Sequence, residues 1–220
     1  MPGKIVVLEG ADGSGKSTQF KVLTQRLKSE GVEFRTLVFP QYSEPSSALV
    51  RMYLGGEFGS KPENVNPYAA STFYAVDRIA SYLKDWKEYY LSGGLLLSDR
   101  YTTSNAMYQG AKMEDAGEFL KWLFEFEYDL LGLPKPDLVL YLDMPQQVSE
   151  KLLAQRRRET GEQADIHESD REFLRRCRNT ADLLVNGYGW RRVQCAPECR
   201  LRSPEDIHEE IYRIVKDECL

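Results

Sequence analysis

The feature that most constrains this chain is a glycine-rich loop placed between an apolar run and a helical pattern. The loop matches the G-x-x-x-x-G-K-[ST] pattern throughout and reads Gly10-Ala11-Asp12-Gly13-Ser14-Gly15-Lys16-Ser17. Its glycines allow the backbone N–H groups to turn inward around phosphates, and the helix N-terminus that follows adds positive partial charge. A strand before the loop and a helix after it predict a phosphate-binding loop, and disfavour a glycine-rich turn that matches by chance.

Three side chains of this loop have predicted roles toward ATP and magnesium. We expect Lys16 to reach the β- and γ-phosphates, the Ser17 hydroxyl to bind Mg²⁺, and Thr18 to approach the α-phosphate. The other predicted ATP-binding residues are Gly10, Ala11, Asp12, Gly13, Ser14 and Gly15.

Short apolar runs alternate with helical patterns along the whole chain, which predicts an α/β fold with a parallel sheet. The predicted strands are Ile5 to Leu8, Thr36 to Phe39, Leu95 to Ser98, Leu138 to Leu142 and Arg192 to Cys195. The predicted helices are Ser17 to Ser29, Ser46 to Tyr53, Pro67 to Leu91, Glu114 to Leu131, Pro145 to Arg157, Ser169 to Val185 and Pro204 to Lys216. The length of 220 residues favours one domain, residues 1–220.

Charge and apolar content narrow the classes of partner. The net charge of −5 disfavours binding to a nucleic-acid polymer, which needs a basic face. No apolar run reaches the roughly 18–20 residues that span a bilayer, and the N-terminus lacks a signal-peptide pattern, so we expect a cytoplasmic protein. The cysteines do not follow zinc-finger spacing, and reduced thiols are expected.

A second acidic position follows the apolar run that begins at Leu95. Asp99 and Arg100 come at the end of this predicted strand. Because the carboxyl ends of parallel strands meet at one edge of a sheet, both residues should face the phosphate-binding loop. Asp99 is predicted to hold magnesium, and Arg100 to pair with a phosphate through its planar fork. The alternative is an ordinary ion pair at a strand end.

Arginines cluster around residues 156–168, where we predict a mobile lid. Arg156 and Arg158 lie at the edge of a polar loop and are predicted to stabilise charge on the transferred phosphoryl group. Arg175 and Arg176 on the next helix are expected to lie on the surface, where exposed ion pairs contribute little.

The chemistry leaves three functional classes open. Transfer to a phosphate needs no general base, because that phosphate is already ionised near neutral pH. Transfer to a hydroxyl, as in a deoxynucleoside kinase, would need a carboxylate such as Glu9 or Asp12. A module that binds nucleotide without turnover is the third class, and the intact Lys16, Asp99 and Arg100 argue against it.

From Val7 to about Arg213 the chain resembles the thymidylate kinase family. The resemblance is carried by Leu8-Glu9-Gly10 with the loop that follows, Phe39-Pro40, Tyr74-Ala75-Val76-Asp77-Arg78, Asp99-Arg100-Tyr101, Ser104 and Tyr108-Gln109-Gly110. It implies a three-layer α/β/α P-loop NTPase fold with a five-stranded parallel sheet, a homodimer, and Mg²⁺-dependent transfer from ATP to dTMP. The product would be dTDP, a step of dTTP biosynthesis.

The same resemblance implies the acceptor site. Asp12 would contact the sugar 3′-hydroxyl, and Arg100 would hold the acceptor phosphate. Tyr74 would stack on the thymine, and Arg78, four residues later on the same helical face, would bind its carbonyl. The remaining implied residues are Ser104 and Gln109 in the base pocket and Tyr101 beneath the sugar, where it would exclude ribose.

The sequence departs from the family pattern at three places. Gln41 and Tyr42 follow Phe39-Pro40 where many members have an arginine, and Arg51 is the candidate substitute. Gly13 stands where some members have a basic residue, which moves the expected catalytic cation to the lid. The segment from Asp165 to Glu168 lacks the arginine and aromatic residue that some members place before the glutamate.

Overall fold

The centre of the fold is a five-stranded parallel sheet. The structure, a computed structural model, describes residues 1–161 and 165–220, apart from the side chains of Arg156 and Thr160. The strands are β1 (Lys4–Glu9), β2 (Arg35–Val38), β3 (Leu95–Asp99), β4 (Leu138–Asp143) and β5 (Arg191–Gln194). Their order across the sheet is β2-β3-β1-β4-β5, and every pairing is parallel. The predicted fold class is confirmed, and each predicted strand end is correct to within one residue.

The described residues form nine α-helices around this sheet. They are α1 (Lys16–Ser29), α2 (Ala48–Leu54), α3 (Pro67–Ser81), α4 (Lys87–Leu91), α5 (Thr102–Gly110), α6 (Ala116–Phe124), α7 (Gln146–Thr160), α8 (Arg171–Gly187) and α9 (Pro204–Cys219). A π-helical segment follows α3 at Tyr82–Trp86 and another follows α6 at Glu125–Leu130. Short 3₁₀ turns occur at Pro45–Ser47, Pro62–Asn64 and Pro197–Cys199.

Helices cover both faces of the sheet, which makes three layers. In β1, Ile5 and Val7 pack in one apolar cluster, while Val6 and Leu8 pack in the cluster on the opposite face. Strands buried on both faces need apolar side chains at consecutive positions, which explains the unbroken apolar runs of the sequence. Residues of α5, α6 and α8 contribute to the first cluster, and those of α1 and α9 contribute to the second.

Helix α5 is the main element that the sequence pattern did not predict. Eight of its nine residues are buried, and they include Thr102, Thr103, Asn105 and Gln109. A helix that buries polar groups on several sides shows no apolar stripe, and the apolar stripe is the signal from which helices are predicted. The predicted helix from Pro67 to Leu91 is also subdivided, because the π-helical segment lies within it.

The sheet register brings the ends of β1 and β3 together. Leu8 of β1 lies opposite Asp99 of β3, so the loop after Leu8 and the turn after Asp99 leave the same edge of the sheet. The central strand β1 lies between β3 and β4, where the strand order reverses. In open α/β sheets, ligands bind outside the carboxyl ends of the strands at this point.

Two further features concern the class of protein. Within the two described ranges, no helix combines the length and the apolar character needed to cross a membrane. The four cysteines are free thiols, of which Cys199 is exposed and the other three are buried.

Candidate active site

The glycine-rich loop packs directly against α7. Gly13 has a left-handed φ of 75°, and a Cβ atom there would lie 2.6 Å from the carbonyl oxygen of Ser149 and 2.8 Å from Leu153 Cγ. Both contacts are shorter than real Cβ atoms show, and one of them is with backbone. Glycine is therefore required at this position, and a basic side chain here would have to displace α7.

The loop forms one wall of a cavity that we call the donor cavity. Lys16 is buried there, with Nζ 3.5 Å from the carbonyl oxygen of Ala11. Burial, together with the nearby Arg100 cation, lowers the pKa of Lys16. The Ser14 hydroxyl is buried without a hydrogen-bond partner in the described structure. The loop residues that line the cavity are Asp12, Gly13, Ser14, Gly15, Lys16, Ser17 and Thr18.

The two predicted metal ligands line this same cavity. Ser17 contributes a hydroxyl oxygen and Asp99 a carboxylate at the end of β3. Magnesium is commonly bound by one or two protein oxygen ligands and by substrate phosphates, which fits this donor set. Among the described residues there is no cluster of three or more His, Cys, Asp or Glu side chains arranged as a metal site by itself.

A second cavity opens beside the first, and we call it the acceptor cavity. All seven side chains predicted to bind the acceptor line it: Asp12, Tyr74, Arg78, Arg100, Tyr101, Ser104 and Gln109. They come from the loop, from the end of β3, and from α3 and α5, so the tertiary structure brings together residues far apart in sequence. The other lining residues are Phe39, Pro40, Tyr42, Leu54, Asn105, Tyr108, Asp165 and His167.

An ion pair separates the two cavities. Arg100 donates from Nη2 to Asp12 Oδ1 at 2.5 Å and from Nη1 to Ser104 Oγ at 3.2 Å. Both Arg100 and Asp12 line both cavities. Arg100 has a φ of 67°, a strained conformation for a residue with a side chain, and such strain concentrates at functional sites.

Hydrogen bonds fix the carboxylate of Asp12, which belongs to this pair, and that of the neighbouring Glu9. Burial favours the neutral form of Asp12, but Arg100, Lys16 and the Tyr108 hydroxyl at 2.9 Å together lower its pKa. Glu9 is fully buried and accepts from the Thr103 hydroxyl at 2.8 Å, from the Ser104 hydroxyl and from the N–H of Gly10. Both carboxylates are therefore already engaged by hydrogen-bond donors of the protein.

Arg78 reaches the acceptor cavity with only part of its fork. Its Nε and Nη2 donate to Glu127 at 2.7 Å and 2.5 Å, and both side chains are almost completely buried. Glu127 also accepts from Thr102 at 2.7 Å and from Asn105 at 3.2 Å. Nη1 of Arg78 has no hydrogen bond to the described residues and is the group left for a ligand. No local sequence pattern predicts this buried pair, because 49 residues separate its partners.

The remaining predicted acceptor residues differ in how free their polar groups are. The Tyr101 hydroxyl donates to the carbonyl oxygen of Pro134 at 3.0 Å, so its buried ring, beside that of Phe39, serves as an apolar wall. Gln109 is completely buried, and neither end of its amide has a hydrogen-bond partner in the part of the chain described. An unpaired buried amide is costly, so a ligand group at Gln109 would relieve that cost.

The predicted substitute for the missing arginine is wrong. Arg51 does not line either cavity, and its Nη1 donates to the carbonyl oxygens of Tyr42 and Glu44 and to Ser47 Oγ. Its cation therefore stabilises the loop after Pro40. Of the unexpected replacements themselves, Tyr42 lines both cavities.

The arginines in and near the predicted lid have separate environments. Arg158 is exposed, and within the described residues its one hydrogen bond goes to the carbonyl oxygen of Ala154, at 3.3 Å, whereas Arg157 pairs with Glu168 at 2.9 Å. The side chain of Arg156 and residues 162–164 of the lid lie outside the described residues. Arg175 forms an exposed pair with Glu172, the surface setting expected for it. Arg176, by contrast, is partly buried; it pairs with Glu63 and donates to the carbonyl oxygen of Ala111.

Some cavity residues were not singled out from the sequence. Asp165 faces both cavities, and burial raises its pKa to about 6 although it accepts backbone N–H bonds from His167 and Glu168. His167 lines the acceptor cavity. Tyr108 also lines the acceptor cavity and was not assigned a role from the sequence. A local signal was available for it, because Tyr108 follows Ser104 by four residues and so lies on the same face of α5.

This fold and loop define a P-loop protein of the α/β/α class. The model of the family described as thymidylate kinase matches residues 8–211. The chain belongs to this family.

Individual relatives match over most of their length. The thymidylate kinase of Mycobacterium tuberculosis (strain CDC 1551 / Oshkosh) is 31% identical over 192 residues, which cover 85% of this chain and 88% of that protein. The probable thymidylate kinase of Pyrococcus horikoshii is 33% identical, with 100% and 99% covered. The solved structure of the thymidylate kinase from Candida albicans is similar at a TM-score of 0.71 and 22% identity, covering 98% of this chain and 92% of that one. That likeness shows the shared fold.

Glu127→Gln tests whether the buried pair with Arg78 holds the acceptor cavity together. The amide keeps the shape of the carboxylate but leaves the buried Arg78 cation without a counter-charge. We expect the free energy of unfolding, measured by urea denaturation, to fall by about 3–5 kcal/mol. The matched control is Glu125→Gln, at an exposed position of the same segment, which should change it by less than about 0.5 kcal/mol. Equal small effects of both substitutions would contradict the importance of the pair.

Proposed function

We propose that the protein transfers the γ-phosphoryl group of ATP to dTMP, which gives ADP and dTDP, and thereby serves dTTP biosynthesis. The observation that carries this proposal is the wall shared by the donor and acceptor cavities, which contains the ion pair of Asp12 and Arg100. A phosphoryl donor in the first cavity and an acceptor phosphate in the second would meet at Arg100. The names of the relatives in M. tuberculosis and P. horikoshii agree with dTMP as the acceptor.

The donor cavity supplies positive charge where ATP would bring negative charge. The loop N–H groups and the N-terminus of α1 would hold the phosphates, with Lys16 at the β- and γ-phosphates. Ser17 and Asp99 would hold Mg²⁺, which neutralises charge that develops on the β- and γ-phosphate oxygens when it is bound. Thr18, which also lines this cavity, would contact the α-phosphate.

An acceptor phosphate suits the carboxylates of this site better than a hydroxyl does. A phosphate monoester with a second pKa of about 6 is already ionised and needs no base. A deoxynucleoside kinase would need Glu9 or Asp12 as the base. Glu9 is completely buried and accepts hydrogen bonds from its neighbours, and the Asp12 carboxylate accepts hydrogen bonds from Arg100 and Tyr108. This arrangement favours catalysis by positioning and by neutralisation of charge.

The acceptor cavity has groups suited to each part of dTMP. Arg100 would bind the phosphate, and Asp12 the sugar 3′-hydroxyl. Tyr74 would stack on the thymine, with Arg78 Nη1 directed at its carbonyl. Ser104 and Gln109 would complete the base pocket, and the tethered Tyr101 ring would bound the sugar and exclude ribose.

We also propose that residues 156–168 act as a lid on a single domain spanning residues 1–220. Because Gly13 has no room for a side chain, the loop cannot supply a further cation beside Lys16. Arg156 or Arg158 would supply it when the lid closes over the donor cavity. Arg158 supports this role because its guanidinium group is exposed and has only one long hydrogen bond within the described residues.

A homodimer and a cytoplasmic location belong to the same proposal, with ATP and dTMP as substrates and no membrane or nucleic-acid polymer as partner. Val76 on α3 and Leu83 just after it are seven residues apart and are 48% and 62% exposed. Large exposed apolar side chains close together on one surface often mark a contact with another chain.

The dimer makes its own prediction. Sedimentation velocity should give about twice the mass of one chain for the unmodified protein. The double variant Val76→Asp, Leu83→Glu should have the mass of a single chain, because burying unpaired charges in a contact is costly. A single-chain mass for the unmodified protein would contradict the dimer. An unchanged dimer in the variant would place the contact elsewhere.

A coupled assay of ADP release tests the proposed reaction. With ATP and Mg²⁺ and a panel of dTMP, dUMP, dCMP, dAMP, dGMP, UMP and thymidine, we expect turnover to be fastest with dTMP. Lys16→Met should lower kcat at least about a hundredfold, because it removes a cation that stabilises the transferred group. Turnover with thymidine alone would indicate a nucleoside kinase. No turnover with any acceptor would indicate the non-catalytic class.

Arg158→Ala tests the lid. If Arg158 stabilises charge only in the transition state, kcat should fall by about a hundredfold while the KM values for ATP and dTMP change by less than roughly threefold. Arg175→Ala is the matched control, because its exposed pair with Glu172 contributes little, and it should leave kcat unchanged. A rise in KM without a fall in kcat would mean that Arg158 binds the ground state instead.

A further inference from the structure

The wall of the acceptor cavity includes the imidazole ring of His167, which has no role in the proposed mechanism. His167 is buried, and its ring stacks on Tyr108 at a centroid distance of 5.3 Å with 15° between the planes. The Phe173 ring contacts it at 5.0 Å, and Tyr53 lies edge-on at 5.4 Å. Three aromatic neighbours fix the plane of the imidazole, so its two nitrogens have defined directions.

A hydrogen-bond chain leads from a lysine to this ring. Lys112 Nζ donates to Tyr53 Oη at 2.8 Å, and Tyr53 Oη lies 2.9 Å from His167 Nε2. An ammonium group can only donate, so the Tyr53 oxygen accepts and has its own proton to give. The Gln109 amide also lies near this hydroxyl but makes no hydrogen bond of ordinary geometry with it. The two acceptors that do have such geometry among the described residues are His167 Nε2 at 2.9 Å and the carbonyl oxygen of Pro62 at 3.3 Å. The nearer of the two is Nε2.

The neutral imidazole is the form that fits this chain. Burial lowers the pKa of His167 to about 3, and the cations of Lys112 and Arg100 oppose its protonation further. A neutral imidazole that accepts at Nε2 must carry its proton on Nδ1. The positive charge of Lys112 polarises the Tyr53 hydroxyl and strengthens its donation in the same direction.

The second nitrogen of the ring remains for a ligand. His167 lines the acceptor cavity, and its Nδ1 has no hydrogen bond within the described structure. The amide of Gln109, in the same wall, is also without a partner there. Sites with buried polar groups left unpaired in the free protein discriminate strongly in favour of ligands that satisfy them.

We propose that His167 is a specificity-determining residue, whose Nδ1–H donates a hydrogen bond to an oxygen of the deoxynucleoside part of the acceptor. Lys112 and Tyr53 are positioning residues, because they keep Nε2 as the accepting nitrogen. This inference rests on the proposed function, since it assumes a nucleoside monophosphate in the acceptor cavity. It adds a contact from the end of the lid segment to those from α3 and α5.

The protonated nitrogen can be observed without any turnover. The chain has two histidines, so ¹⁵N NMR of imidazole-labelled protein at neutral pH gives a simple spectrum, and His208→Phe assigns it. We expect a protonated Nδ1 and an unprotonated Nε2 for His167, and a shift of the Nδ1 signal when dTMP is added. Tyr53→Phe should remove the preference for this form. A proton on Nε2 in the unmodified protein would overturn the proposal, whatever the activity proves to be.

Kinetics then separate this contact from a structural role. The reaction of the unmodified protein with dTMP is measured first, so that failure of the proposed function is recognised separately. His167→Phe keeps a stacking ring and removes both nitrogens, and KM for dTMP should rise about fivefold to tenfold, as expected for one lost hydrogen bond. KM for ATP should change by less than about twofold.

Two further variants complete the test. Lys112→Met should also raise KM for dTMP, by a smaller factor than His167→Phe does. In the His167→Phe background, Lys112→Met should have no further effect on this KM, because both substitutions act through Nδ1 of His167. His208→Phe, at a buried histidine of α9, should leave both KM values unchanged. An unchanged KM for dTMP in His167→Phe, or equal changes in both KM values, would overturn the proposal.

Discussion

The ion pair between Arg100 and Asp12 is the contact around which the site is organised. Arg100 follows β3, Asp12 lies in the loop after β1, and 88 residues separate them in sequence. They meet because β1 and β3 are neighbours with Leu8 opposite Asp99. Both side chains are mostly buried, at 19% exposure each, and the cost of desolvating a buried ion pair offsets much of its attraction, so its contribution is to position the two groups more than to stabilise the fold. It places a cation and an oriented carboxylate where the two cavities join, which is the requirement of phosphoryl transfer between two bound substrates.

A second buried charge supports the acceptor cavity from behind. Glu127 accepts from Arg78, Thr102 and Asn105, and so links α3 and α5 to the segment that follows α6. Replacing such a buried pair with apolar residues would often be no less stable, so stability alone does not account for it. The structure suggests a positional reason. Two nitrogens of Arg78 are held by Glu127, and the third, Nη1, has no hydrogen bond within the described residues, on a side chain that lines the cavity.

Acidic side chains outnumber basic ones among the residues that line the donor cavity. Asp12, Asp99, Asp165 and Glu168 all line the donor cavity, against Lys16 and Arg100. Burial raises the pKa of Asp165 to about 6, which reports a carboxylate whose charge is only partly compensated.

The sequence by itself determined the phosphate-binding loop, the five strands and the class of fold, because glycine positions and apolar runs act locally along the backbone. The family motifs also named the seven predicted acceptor residues that the structure brings into one cavity. Only the tertiary structure showed that Arg78 shares its fork with Glu127, that Arg51 holds a loop instead of a phosphate, and that the polar segment Thr102–Gly110 is a buried helix. The partner of a polar side chain depends on sheet register and on packing between distant segments, and neither is written in a local pattern.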